Sequence, residues 1–162
     1  MFKSFKKVLV GVLAASLMLT SVAFAADAAK SPADAPEVTE VTVKKSTVKT
    51  IKSDANVELN LSKSKTTIKA KALSKKTTSL VINSSSKKKV TVNKDAFKNA
   101  NKKLVITVNK NTVTFKKGAF KSNNTKNMKI YVKGYKKGSK AFAKYKKALK
   151  AAGFKGKVLL KK

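Results

Sequence analysis

Ala96-Phe97 recurs as Ala119-Phe120, 23 residues later, and as Ala72-Leu73, 24 residues earlier. No other feature constrains the fold as tightly, because a fixed spacing of this size means the chain rebuilds one supersecondary unit several times. An apolar residue stands four positions before each alanine: Ile68, Val92 and Phe115. A short alternating run begins eight residues after the first two alanines and nine after the third. These runs are Leu80-Val81-Ile82, Leu104-Val105-Ile106-Thr107-Val108 and Met128-Lys129-Ile130-Tyr131-Val132. A shorter copy with Ile51, Ala55 and Val57-Glu58-Leu59-Asn60-Leu61 precedes them, and Val41 to Val48 reads as a still more degenerate start.

Period-2 alternation predicts strands with one apolar face. The inward residues are Val57, Leu59 and Leu61, then Leu80 and Ile82, then Leu104, Ile106 and Val108, then Met128, Ile130 and Val132. One unit cannot bury that face alone, so like units stack, with like positions about 4.8 Å apart. Phenylalanine then fills the interior and alanine permits close approach. The outward positions would form the ladders Glu58/Val81/Val105/Lys129, Asn60/Asn83/Thr107/Tyr131 and Ser62/Ser85/Asn109/Lys133. An ordinary β-sandwich with accidental similarity is the competing architecture, but it does not account for three agreeing registers.

The pattern from Leu104-x-Ile106-x-Val108 through Phe115-x-x-x-Ala119-Phe120 to Met128-x-Ile130-x-Val132 resembles the BspA-like, or treponemal-type, leucine-rich repeat. The resemblance covers Thr66 to Lys162. It implies a surface or secreted interaction role, with the Ala-Phe pair on the convex side and the strand on the other. Asn83, Asn109 and Lys133 stand where that family usually has proline. Lys98-Asn99-Ala100 and Lys121-Ser122-Asn123 stand where it often has Gly-Cys. The expected fold is therefore mostly β with short turns and helices: a small leucine-rich-repeat-like solenoid with a C-terminal helical cap.

The cap is residues 139–162. Ser139 is a good N-cap, and Phe142, Tyr145, Leu149 and Ala152 share one helical face. Gly153 suits the left-handed position after the helix, with Phe154 returning onto Leu149. Lys157 to Leu160 can add a last strand. Lys140, Lys144, Lys146, Lys147 and Lys150 also give this helix the look of a membrane-surface helix. Its apolar stripe is narrow, however, and docking on the repeats already accounts for it.

At the other end, Lys3, Lys6 and Lys7 precede an apolar run from Val8 to Leu19, and Ala23-Phe24-Ala25 supplies a cleavage motif. This predicts a signal peptide over residues 1–25, cut between Ala25 and Ala26. The run is too short to cross a bilayer about 30 Å thick. No transmembrane span is expected after cleavage, and the product should be secreted or held at the cell surface or wall. Residues 26–40, with Pro32, Pro36 and most of the acids, read as a linker. Residues 41–65 then hold the degenerate repeats and 66–138 the regular ones.

The formal net charge of +32 comes from 39 lysines and no arginine, against seven acids of which only Asp95 follows Glu58. No Cys or His is present, which removes thiol nucleophiles, disulfides, Cys/His zinc sites and imidazole bases. Ser-x-x-Lys at Ser62, Ser84, Ser85 and Ser86 is what abundant lysine produces by chance, and no Lys-Thr-Gly or Ser-Asp-Asn partner accompanies it. Paired carboxylates for glycoside cleavage would have to come from Asp54, Glu58 and Asp95. Asn60, Asn83 and Asn123 match the glycosylation pattern, but turn or strand polarity explains them equally well. No catalytic residue, metal site or cofactor is expected, and the chain reads as a non-enzyme.

The remaining candidates are lysine clusters expected at turns: Lys75-Lys76, Lys87-Lys88-Lys89, Lys102-Lys103, Lys116-Lys117 and Lys136-Lys137. Stacked turns would align them into basic stripes along the flanks. Anionic cell-wall or host glycopolymers are the expected partners, held by field and counterion release. A surface protein is the alternative, with lysine serving solubility. The absence of arginine argues against specific nucleic-acid readout, and a cationic antimicrobial or nucleic-acid-binding role ranks below both.

Overall fold

The computed structural model describes residues 37–51 and 54–161. The expected signal segment, its Ala25–Ala26 junction and the linker up to residue 36 lie outside them. The strands are β1 (Thr39–Val43), β2 (Thr47–Val48), β3 (Asn56–Leu61), β4 (Lys65–Ile68), β5 (Ser79–Asn83), β6 (Lys89–Val92), β7 (Val105–Asn109), β8 (Val113–Phe115) and β9 (Lys129–Lys133). The helix α1 (Lys140–Ala151) and the strand β10 (Lys157–Lys161) follow.

The chain is mostly β, with two parallel sheets and one helix near the C-terminus. The six-stranded sheet has the order β1-β3-β5-β7-β9-β10, and the four-stranded sheet the order β2-β4-β6-β8. From β1 to β9 the chain alternates strictly between them. Each strand pairs in parallel with the strand two elements on, so the connection always passes through the other sheet. Two-residue hairpins cannot produce this, because parallel neighbours need a crossover.

All the residues expected to point inward are buried, none more than 4 % exposed. Ala72, Leu73, Ala96, Phe97, Ala119 and Phe120 join them in one hydrophobic core with the inward residues of the second sheet. Phe97 and Phe120 stack there, and Phe154 from beyond the helix tilts against Phe120 at 5.1 Å.

The second sheet corrects the expectation of one strand per repeat. Ile68, Val92 and Phe115, recognised only as isolated apolar markers, are the last residues of β4, β6 and β8 and are register partners. These strands have three or four residues and are rich in Thr and Lys. That is too few positions for alternation to declare itself.

Register is the second correction. Ser79 pairs with Val105 and Leu80 with Ile106, two residues away from the expected alignment of Leu80 with Leu104. The outward ladder therefore reads Glu58, Val81, Thr107, Tyr131 rather than Glu58, Val81, Val105, Lys129. The cause is the turn before β7. Asn101 to Leu104 ends immediately ahead of its strand, whereas Ser74 to Thr77 leaves one residue before β5. A slip of two keeps every side chain on its own face, which is why the core prediction survives it.

Two segment boundaries also move. β1 begins at Thr39, inside the segment expected to be linker, because Val41 and Val43 continue the inward columns of Leu59 and Leu61. The division drawn between residues 65 and 66 falls within β4.

The cap forms where its signals stand. Phe142 N donates to Ser139 Oγ at 3.3 Å. At the other end Gly153 N donates to Lys150 O and Phe154 N to Leu149 O, at 2.9 and 3.0 Å, with Gly153 at φ +95°. This doubly bonded ending satisfies the last carbonyls, and only glycine takes its left-handed conformation without strain.

Candidate functional site

All eleven candidate lysines are exposed. The backbone sorts them into separate places. Lys75-Lys76 and Lys102-Lys103 occupy equivalent turns that lead into β5 and β7. These turns are closed by Thr77 N to Ser74 O at 3.3 Å and Leu104 N to Asn101 O at 3.1 Å. Lys126 sits in the next copy, closed by Met128 N to Thr125 O at 3.0 Å. Asn101 Nδ2 donates to Lys75 O at 3.0 Å and ties one turn to its neighbour.

Lys87 and Lys88 lie in the turn between β5 and β6, where Ser85 and Lys88 exchange backbone hydrogen bonds of 3.1 Å. Lys136 and Lys137 lie between β9 and α1. Lys89 is not in a turn. It opens β6 and pairs with Lys65, because the Ser84 to Lys88 turn ends one residue earlier than the run of lysines suggests. Lys116-Lys117 leave β8 at a third corner. The structure thus brings Lys75, Lys76, Lys102 and Lys103 together and distributes the other seven.

Two lysines that the sequence did not single out stand beside Lys117. Lys94, Lys117 and Lys121 line a cavity of about 370 Å³ with Gly118, Ala151 and Gly153. Asp95 N donates to Gly118 O at 3.0 Å, and this contact brings Lys94 alongside Lys117. The cavity lies at the C-terminal end of α1, where unsatisfied carbonyls carry partial negative charge. These lysines therefore complement the helix end. Neither Lys94 nor Lys121 belongs to a lysine run, so only the register could have found them.

The outer face of the six-stranded sheet changes character from end to end. Glu40 and Glu58 are register partners at one end. At the other, Lys129, Tyr131 and Lys133 pair with Lys157, Leu159 and Lys161. Asparagines occupy the column between: Asn83 Nδ2 donates to Asn60 Oδ1 at 2.7 Å and also to the Glu58 carboxylate. Asn109 Nδ2 donates to Ser84 O at 2.6 Å. Asn123 Nδ2 donates to Phe97 O and Ala100 O, at 2.7 and 2.9 Å. The glycosylation-like asparagines are thus engaged in hydrogen bonds that stitch neighbouring strands and turns.

Under the helix, Tyr145, Ala148 and Leu149 meet Val113, Thr114 and Phe115 around a cavity of about 120 Å³. The Tyr145 hydroxyl is buried without a hydrogen-bond partner. Burial, then the neighbouring Tyr135, holds its pKa well above the ordinary tyrosine range.

Comparison with protein families, curated proteins and solved structures returns no match. Among the described residues, no helix is long and apolar enough to cross a membrane.

Proposed function

We propose that the chain is an exported, non-catalytic binding module that holds anionic polymers of the cell wall or a host surface through its lysine-rich flanks. Its architecture, on this reading, is a small solenoid of the leucine-rich-repeat type, capped by α1 and β10. The alternation of β1 to β9 between two parallel sheets and the in-register burial of the Ala-Phe pairs support that architecture.

The observation that carries the function is the superposition of lysine turns. Lys75-Lys76 and Lys102-Lys103 sit in bonded neighbouring turns, so four ammonium groups crowd one corner with no acid among them. Dense point charges of one sign attract a polyanion by field and counterion release, and lysine does so without the geometric selectivity of arginine.

The test is retention on heparin, teichoic acid and a neutral resin across a salt series. A polyanion binder elutes late from the first two, and its affinity falls steeply with salt. Replacing Lys87, Lys88 and Lys89 by Gln weakens retention without unfolding the chain. Unchanged retention would overturn the flank reading. Salt-insensitive binding to a single protein would favour a structural or adhesive role instead. The half-buried row Val81, Tyr131 and Leu159 on the outer face of the six-stranded sheet is the observation that speaks for that second reading.

A further inference from the structure

The four-stranded sheet presents an outward column made only of threonine. Thr47 pairs with Thr67, Thr67 with Thr91, and Thr91 with Thr114. Their neighbours along the strands, Val48, Ile68, Val90 and Val92, are buried, so alternation turns the threonines outward. Successive hydroxyls stand about 4.8 Å apart.

Lysines border this column on both sides. Lys65 and Lys89, two residues before Thr67 and Thr91, are direct register partners. On the other side the ladder continues one residue past the strands through Lys69 N to Val48 O, Asn93 N to Ile68 O and Lys116 N to Val92 O. Lys49, Lys69, Asn93 and Lys116 therefore form the opposite border, two residues after the threonines. The result is a trough floored by hydroxyls and walled by ammonium groups, closed at β8 by Tyr145 and Ala148 beside Thr114.

Cross-strand threonine pairs are ordinary stabilisers of a sheet, but like charges placed directly opposite are not. An anion lying between the walls removes that repulsion. We infer that this trough is the seat of a linear polymer bearing tetrahedral oxyanions, phosphate or sulfate, running across the strands along the threonine column. Lysine and threonine supply single, rotatable donors. These suit a tetrahedral group reached from several sides, whereas the planar fork that matches a carboxylate bidentately belongs to arginine, which this chain lacks.

This inference rests on the polyanion reading and narrows it to one face and one anion geometry. Two variants of the full chain separate the two claims. One replaces Lys65, Lys69, Lys89 and Lys116 by Gln; the other replaces Lys75, Lys76, Lys102 and Lys103 by Gln, with an identical change in charge. Affinity for polyphosphate and for dextran sulfate is measured across a salt series, with poly-glutamate of matched length as the planar-carboxylate comparison. The trough variant should lose at least tenfold more affinity than the turn variant, and its salt slope should fall by about three units as four contacts are removed. Thr67→Val with Thr91→Val should weaken both oxyanion polymers and leave poly-glutamate unchanged. Comparable behaviour of polyphosphate and dextran sulfate supports the shared geometry, and binding of only one identifies which oxyanion the seat takes. Equal losses in the two lysine variants, or a threonine variant that binds as the parent does, would overturn the seat while leaving the polyanion reading intact. A parent chain that binds none of the polymers overturns the polyanion reading itself.

Discussion

The rings of Phe97 and Phe120 lie 4.7 Å apart and 7° from parallel. They occupy the same place in successive repeats, and Leu73 fills that place one repeat earlier, 2 % exposed. Truncating either ring opens the core between two turns that cannot collapse independently. Phe120→Ala should cost about 3–5 kcal/mol, read by chemical denaturation. Phe120→Leu should cost under about 1.5 kcal/mol, because leucine already serves at residue 73. A similar loss for both would mean that the column is not the unit of packing.

Lys71, Asp95 and Gly118 form a column of left-handed residues, at φ +56°, +57° and +79°. They are joined by Lys71 N to Asp95 O and Asp95 N to Gly118 O, at 2.9 and 3.0 Å. A side chain in this conformation costs about 1–2 kcal/mol, and glycine returns about 0.5–1 kcal/mol of that as chain entropy. Lys71→Gly should therefore raise stability by up to about 1 kcal/mol. Gly118→Ala should lower it by about 1–2 kcal/mol, with the new methyl 3.3 Å from Lys94 Cγ. Thermal midpoints of the two variants should move in opposite directions.

Gly156 owes its identity to space. A methyl there would strike the backbone carbonyls of Met128 and Thr125. Gly156→Ala should cost about 1–3 kcal/mol by overpacking and loosen β10 from β9. Faster amide exchange at Lys157, which donates to Met128 O at 3.1 Å, is the specific readout. Unaltered exchange there would show that β10 docks by other contacts.

Tyr145 hides a hydroxyl with no partner among packed side chains. Tyr145→Phe should be neutral or stabilising by about 1 kcal/mol at neutral pH, since it removes the desolvation penalty of that group. Its folded pKa lies above the unfolded value, so the tyrosine's relative contribution is intact below about pH 10 and is lost as pH climbs beyond it. The phenylalanine variant should therefore gain on the parent above pH 10 in paired urea melts. A constant difference between the two from pH 7 to 11 would contradict the burial of the ionisable oxygen.

Repulsion among 39 lysines opposes compaction. Raising sodium chloride from about 10 mM to 150 mM shortens the Debye length from about 30 to 8 Å. The thermal midpoint should rise over that interval. A midpoint that is flat or falls would mean that the lysines are already neutralised in pairs.

Much of this was legible in the sequence because it repeats. Ala96-Phe97 and Ala119-Phe120 announced a periodic core, and every residue assigned inward from alternation is buried. Ser139, Leu149, Gly153 and Phe154 announced the helix and its ending, since capping is local chemistry within a few residues. The threonine-lysine trough was not legible. Thr47, Thr67, Thr91 and Thr114 sit 20 to 24 residues apart in strands too short to carry a pattern, and nothing about any one of them marks it.

By itself, then, the amino-acid order determined which side chains go inside, because hydrophobic period and capping depend only on near neighbours along the chain. Tertiary structure alone decided which outward residues stand next to which. A two-residue slip between Ser79 and Val105 leaves the interior unchanged yet rewrites the whole outer ladder. Burial has period two and is blind to such a slip, whereas a surface site depends on every residue of the register.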